Sequence, residues 1–135
     1  MGRLLGVASC GVKMDNHKYV AHPAAPDALL LFDEADILRR MDNDRDFVRM
    51  ILDESRVELP RQLEGLRELC RGSETKAIRS LAHTMKGLAA NISTGALRAI
   101  AARMEAAAKE DDLVTVRELL PELERMVFLT IEAIR

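Results

Sequence analysis

A histidine, a lysine and a glycine occur at positions 83, 86 and 87, inside the segment Ala82-His83-Thr84-Met85-Lys86-Gly87-Leu88-Ala89-Ala90-Asn91-Ile92. The neutral form of an imidazole is populated near physiological pH, and its free nitrogen is then a nucleophile able to accept an electrophilic group such as a phosphoryl. An attached phosphoryl group brings negative charge and several acceptor oxygens, which an ammonium one helical turn away can partly neutralise. Lys86 is so placed for His83 if the segment is helical. Glycine within a helix costs about 1 kcal/mol relative to alanine, so Gly87 needs a compensating purpose, and steric clearance beside the histidine for an approaching protein surface is one.

The segment does read as helical. Ile78, Leu81, Ala82, Met85, Ala89 and Ile92 recur as an apolar stripe. At 100° per residue, His83 then lies roughly 140° from that stripe, on the solvent side. An isolated exposed histidine is usually just solvated, and a nearby lysine is usually ordinary surface charge. It is the combination with Gly87 that calls for a function. Arg79, one turn before His83, reads as an ordinary exposed basic residue with the option of touching a partner.

Punctuation along the chain supplies the surrounding elements. Residues 1–27 hold three glycines and two prolines without periodicity and read as a flexible N-terminal lead-in; residues 28–135 form the folded domain. Asp33 is expected to cap a short helix through Met41, stapled by Phe32 and Ile37. A second helix runs from Asn43 or Asp44 to about Cys70, burying Val48, Ile51, Leu52, Ser55, Leu59, Leu63, Leu66 and Leu69, with a kink or break at Pro60. Ser73 is expected to cap the third helix, which carries His83. The fourth buries Leu97, Ile100, Ala101, Met104 and Ala108 and ends at Lys109-Glu-Asp-Asp112. The last buries Leu113, Val116, Leu120, Leu123, Val127, Ile131 and Ile134 and bends at Pro121. Short connections between long amphipathic helices predict an all-α, antiparallel up-down four-helix bundle with a short additional N-terminal helix.

Composition excludes several classes. The 135 residues suit one domain with one core, and 3% aromatic residues without tryptophan favour helices over sheets. A formal net charge of -2 gives no basic excess for a nucleic-acid backbone. No apolar run approaches the roughly 20 residues of a membrane span. The segment Met1 to Cys10 is too short in apolar residues for a secretory signal, and Met14 is an alternative start. Cys10 and Cys70 lack metal-ligand spacing and read as reduced cytosolic thiols. His17 and His22, with Asp15, have no motif to fix a metal geometry and read as solvated. No glycine-rich nucleotide loop is present, so the chain is not expected to phosphorylate itself from ATP.

The segment from Ala82 to Ile92 resembles the signature of histidine-containing phosphotransfer (HPt) domains. The resemblance extends through Phe32-Asp-Glu-Ala-Asp-Ile-Leu-Arg39 and Leu97-Arg-Ala-Ile-Ala-Ala-Arg-Met-Glu105, covering most of Leu29 to Arg135. It implies that His83 is the phosphoryl acceptor and donor, that Lys86 stabilises the phosphoryl group and that Gly87 gives clearance to the partner. Met85 replaces the family's commonest leucine, and Ser93 stands where glycine is usual, which is expected to alter the helix connection. Glu105 occupies a place where family members often have glutamine. A carboxylate beside phosphohistidine would repel it, so Glu105 reads as surface charge, with Lys109 as a neighbour of the phosphate.

The expected function follows from the resemblance: a cytoplasmic carrier in a two-component phosphorelay, not an enzyme, taking a phosphoryl group from a receiver-domain aspartate onto His83 and passing it to another receiver. The partners implied are receivers of a hybrid histidine kinase and of a downstream regulator. Neither nucleic acid nor membrane is implied. No cofactor is expected in this chain, Mg²⁺ is expected on the receiver, and the domain is expected to be a monomer. The alternative is a non-phosphorylated docking module. A hydrolase with His83 as general base lacks an acid partner and a concave site.

Overall fold

The computed structural model describes residues 19–20 and 29–135. Within them lie two β-strands, β1 (Tyr19–Val20) and β2 (Leu29–Leu30), and five helices: α1 (Glu34–Arg40), α2 (Arg45–Cys70), α3 (Thr75–Asn91), α4 (Gly95–Lys109) and α5 (Leu113–Ile134). The strands pair antiparallel, Tyr19 opposite Leu30 and Val20 opposite Leu29, an element not expected from the sequence. The remainder of the lead-in expected over residues 1–27 lies outside the described residues.

Aspartates start three of the helices. Asp33 accepts from the Asp36 amide at 3.1 Å, Asp44 from the Phe47 amide at 3.0 Å and Asp112 from the Thr115 amide at 3.1 Å, each satisfying a donor that the first turn leaves without a helical partner. Helix α3 departs from expectation. Ser73 does not cap it; its carbonyl accepts from Thr75, and the helix starts after Glu74, which makes no side-chain cap. The Thr75 hydroxyl instead donates to Asp111, tying the start of α3 to the α4–α5 turn. Neither proline breaks its helix: α2 runs on through Pro60 and α5 through Pro121.

Helices α2, α3, α4 and α5 pack in a closed ring, each on its neighbours in sequence, with α5 returning against α2 and short α1 lying on α2. The antiparallel course of α2 and α5 is fixed at both ends. Arg49 near the start of α2 donates to the Ile134 carbonyl at 3.3 Å, and Arg117 near the start of α5 donates to the Cys70 carbonyl at 2.9 Å. Each guanidinium thus meets carbonyls that a helix end leaves over.

The core is aliphatic. Ile78, Ala82, Met85, Ala89 and Ile92 from the α3 segment, and Leu97, Ile100, Ala101, Met104 and Ala108 from α4, are all buried as expected. Helix α2 buries Cys70 and Gln62 while Ile51 and Leu69 are only half-buried. Helix α5 is turned from its expected face: Leu119, Met126 and Thr130 go inside, whereas Leu113, Leu120 and Ile131 are half-buried. Gly65 on α2 lets α3 come close, since a Cβ there would meet Leu81 Cδ2 at 2.8 Å.

The turn from α3 to α4 is held from α1. Ser93 has φ 57°, the left-handed region that explains the glycine usual at this place. Its hydroxyl donates to Asp36 at 2.7 Å and accepts from Arg40 at 2.6 Å, while the Arg40 guanidinium also reaches the Asn91 carbonyl at 3.0 Å. These bonds compensate the strained backbone, and with the Ser93 and Arg40 bonds the Asp36 carboxyl is held below its ordinary range.

Candidate functional site

Because α3 turns Ile78, Ala82, Met85 and Ala89 inward, the same period puts His83 outside, where its side chain is 66% exposed. Lys86 follows one turn later, half-buried against α4. Glu105, the residue after buried Met104 on α4, comes up at the α3–α4 seam with its side chain only 19% exposed.

The Glu105 carboxylate spans both neighbours. One oxygen lies 2.8 Å from His83 Nδ1 and the other 2.6 Å from Lys86 Nζ. The hydrogen bond from Lys86 is the main reason the Glu105 carboxyl is held below its ordinary range; the one from His83 adds to it, while partial burial works the other way. Glu105 is therefore ionised near neutral pH and can only accept. The hydrogen of a neutral imidazole then sits on Nδ1, leaving the Nε2 lone pair free. Nε2 has no hydrogen-bond partner among the described residues.

Reading Glu105 as surface charge is corrected by this geometry. Repulsion concerns only the phosphoryl group of a modified histidine, whereas the unmodified imidazole and the ammonium both attract the carboxylate. The sequence signal was available: Glu105 directly follows Met104, so it lies at the edge of the α4 buried face. Lys109 is exposed and does not line the surface beside His83. A shallow depression there is lined by Lys76, Arg79, Ser80, His83 and Glu105, which brings Arg79 to the site.

Gly87 is exposed, and a Cβ added to it would meet no atom within 4 Å. Unlike Gly65, it is not required by packing within the chain. Beyond it, Met41, Ile51, Glu54, Ser55, Glu58, Leu88 and Asn91 line a groove among α1, α2 and α3.

The model of the Hpt domain family matches residues 50–132. The chain belongs to the Hpt domain family. As an Hpt domain it is a histidine phosphotransfer module of phosphorelay signalling, from a family whose members are phosphoryl carriers, not kinases, and interact with receiver domains. The fold is similar to the crystal structure of histidine-containing phosphotransfer protein B from Pseudomonas aeruginosa, with a TM-score of 0.72 at 19% identity over 77% of this chain and 90% of that one. No curated protein matches the chain.

His17, His22, Asp15, Cys10 and Met14 lie outside the described residues of this Hpt domain. Cys70 is buried, and burial pushes its thiol up and away from reactivity. Among the described residues no group of three or more His, Cys, Asp or Glu side chains is arranged to hold a metal ion, and no helix is long and apolar enough to cross a membrane.

Proposed function

We propose that His83 carries the phosphoryl group, taking it from an aspartyl phosphate on one receiver domain and giving it to an aspartate on another. The observation that supports this most is the ionised Glu105 against Nδ1, which leaves Nε2 as the exposed nucleophilic nitrogen. In the step, the Nε2 lone pair attacks phosphorus and an N–P bond forms as the acyl phosphate P–O bond breaks. The electrons of that bond leave with the receiver's carboxylate. Nδ1 keeps its hydrogen, so the phosphorylated ring is cationic and Glu105 opposes its charge. Onward transfer is the same step reversed at a second receiver.

Lys86 stabilises the phosphorylated state at one remove, by keeping the Glu105 carboxylate ionised and in place against Nδ1, and Gly87 leaves room for the receiver surface. A rigid helix suits this task, because in-line positioning supplies much of the catalysis of phosphoryl transfer. Mg²⁺ belongs to the receiver in this reading, with none in this chain. The receivers are those of a hybrid histidine kinase and of a downstream regulator, and the domain works as a cytoplasmic monomer.

The test is transfer from a phosphorylated receiver to wild type and His83→Gln in parallel. Acid-labile, base-stable phosphate on wild type alone is the expected result. Receivers that bind but label neither protein would make this a docking module.

A further inference from the structure

The cation expected to serve the phosphoryl group directly, Lys86, is already bound at 2.6 Å to Glu105. Two other cations beside His83 are not engaged. Lys76 and Arg79 are exposed on α3, seven and four residues before His83, and among the described residues neither side chain makes an ion pair or hydrogen bond. Both line the depression that His83 and Glu105 also line, whereas Lys86 and Gly87 do not.

Helix geometry accounts for that arrangement. Side chains on a helix lean toward its N-terminus, so the surface a residue covers lies over the preceding turn. The imidazole of His83 thus lies toward Arg79 and Ser80 rather than toward Gly87. Its Nδ1 edge is fixed on Glu105, and Nε2, across the ring, is turned from the carboxylate. A group on Nε2 extends away from the one anion of the site and over a surface whose charges are positive.

Resting on the carrier reading of His83, we propose that Arg79, assisted by Lys76, binds the phosphoryl group on Nε2. The planar guanidinium suits two phosphoryl oxygens, and the ammonium adds a second, more mobile charge. The site thereby separates two duties: Lys86 and Glu105 set the state of the ring, and Arg79 and Lys76 hold what the ring carries.

Phosphoramidate, a small phosphoryl donor, removes receiver docking from the test. Wild type, Arg79→Gln, the pair Arg79→Gln with Lys76→Gln, and Lys86→Gln are phosphorylated with it, and the last ionisation of the bound phosphoryl group is followed by ³¹P NMR against pH. Loss of a nearby cation raises that pKa. The expected result is a rise of about half a unit for Arg79→Gln, more for the pair and less for Lys86→Gln, shrinking in high salt. None of the three substituted positions is buried, and circular dichroism checks that each variant is folded. Labelled wild type with an unchanged titration in Arg79→Gln and the pair overturns the assignment and leaves the carrier reading standing. Wild type that takes no label, while free histidine does, overturns the carrier reading and the assignment with it.

Discussion

Helix α3 ends in one polar network and carries another in its middle, and the two are built differently. At its C-terminal end Asp36, Arg40 and Ser93 close on one another and on the carbonyls of α3, so each charge has its partner within the fold. At His83 only one side is closed: Glu105 satisfies Nδ1 and Lys86, while Nε2, Arg79 and Lys76 are left open to solvent. A closed network fixes geometry, whereas an open one is ready for a ligand. The contrast separates residues that hold α3 in place from those that use it.

Breaking the closed half of the site is expected to have the largest effect. Glu105→Leu removes the acceptor from Nδ1 and should slow phosphoryl transfer by roughly tenfold to a hundredfold, the worth of a hydrogen bond to a charged group. Glu105→Gln keeps an acceptor and should recover most of the rate, read in the same transfer assay.

Arg40→Ala opens the other network and should act on stability instead. A loss of about 1–2 kcal/mol in denaturant unfolding is expected, with phosphorylation of His83 by phosphoramidate within about twofold of wild type. Gly87→Ala should gain about 0.5–1 kcal/mol, because the added methyl meets nothing within the chain. It should also slow transfer from a receiver without changing labelling by phosphoramidate, which needs no clearance.

Acid should loosen both networks. The Asp36 and Glu105 carboxyls are held below their ordinary values of 3.8 and 4.5, so what they contribute to folding is fully present above those values and is lost as pH falls through the lower folded ones. The Nδ1–H signal of His83, followed by NMR, should therefore survive to a pH below 4.5 before the Glu105 contact is lost. Ser93→Gly sharpens the comparison with the smallest effect. Relief of the positive φ and loss of two hydroxyl bonds should offset each other to within about 0.5 kcal/mol in the same unfolding measurement.

The sequence displayed the bundle because three of its helices begin at aspartates and the long ones carry regular apolar stripes, and His83 was legible as the exposed side of one stripe. Where apolar residues crowd together the period loses its power to choose. Leu119 and Leu120 are equally apolar, and the α5 face settles on the first only through its packing against α2 and α4. Ser73 has the capping chemistry, yet α3 starts after Glu74, and the Thr75 contact with Asp111, 36 residues away, has no local signature. Glu105 presents the same difficulty: its partners lie on another helix, and only the seam between α3 and α4 shows that one carboxylate serves both the imidazole and the ammonium.

The tethering of α3 has a consequence for how its signal is read. Thr75 binds Asp111 at one end and Arg40 binds the carbonyls at the other, with a fully buried stripe between them. A group added at an exposed turn of so constrained a helix is expected to leave its backbone in place. If His83 is the carrier as proposed, the domain stores its message as charge at one address, like a token passed by hand, and whatever receives it must touch His83 itself.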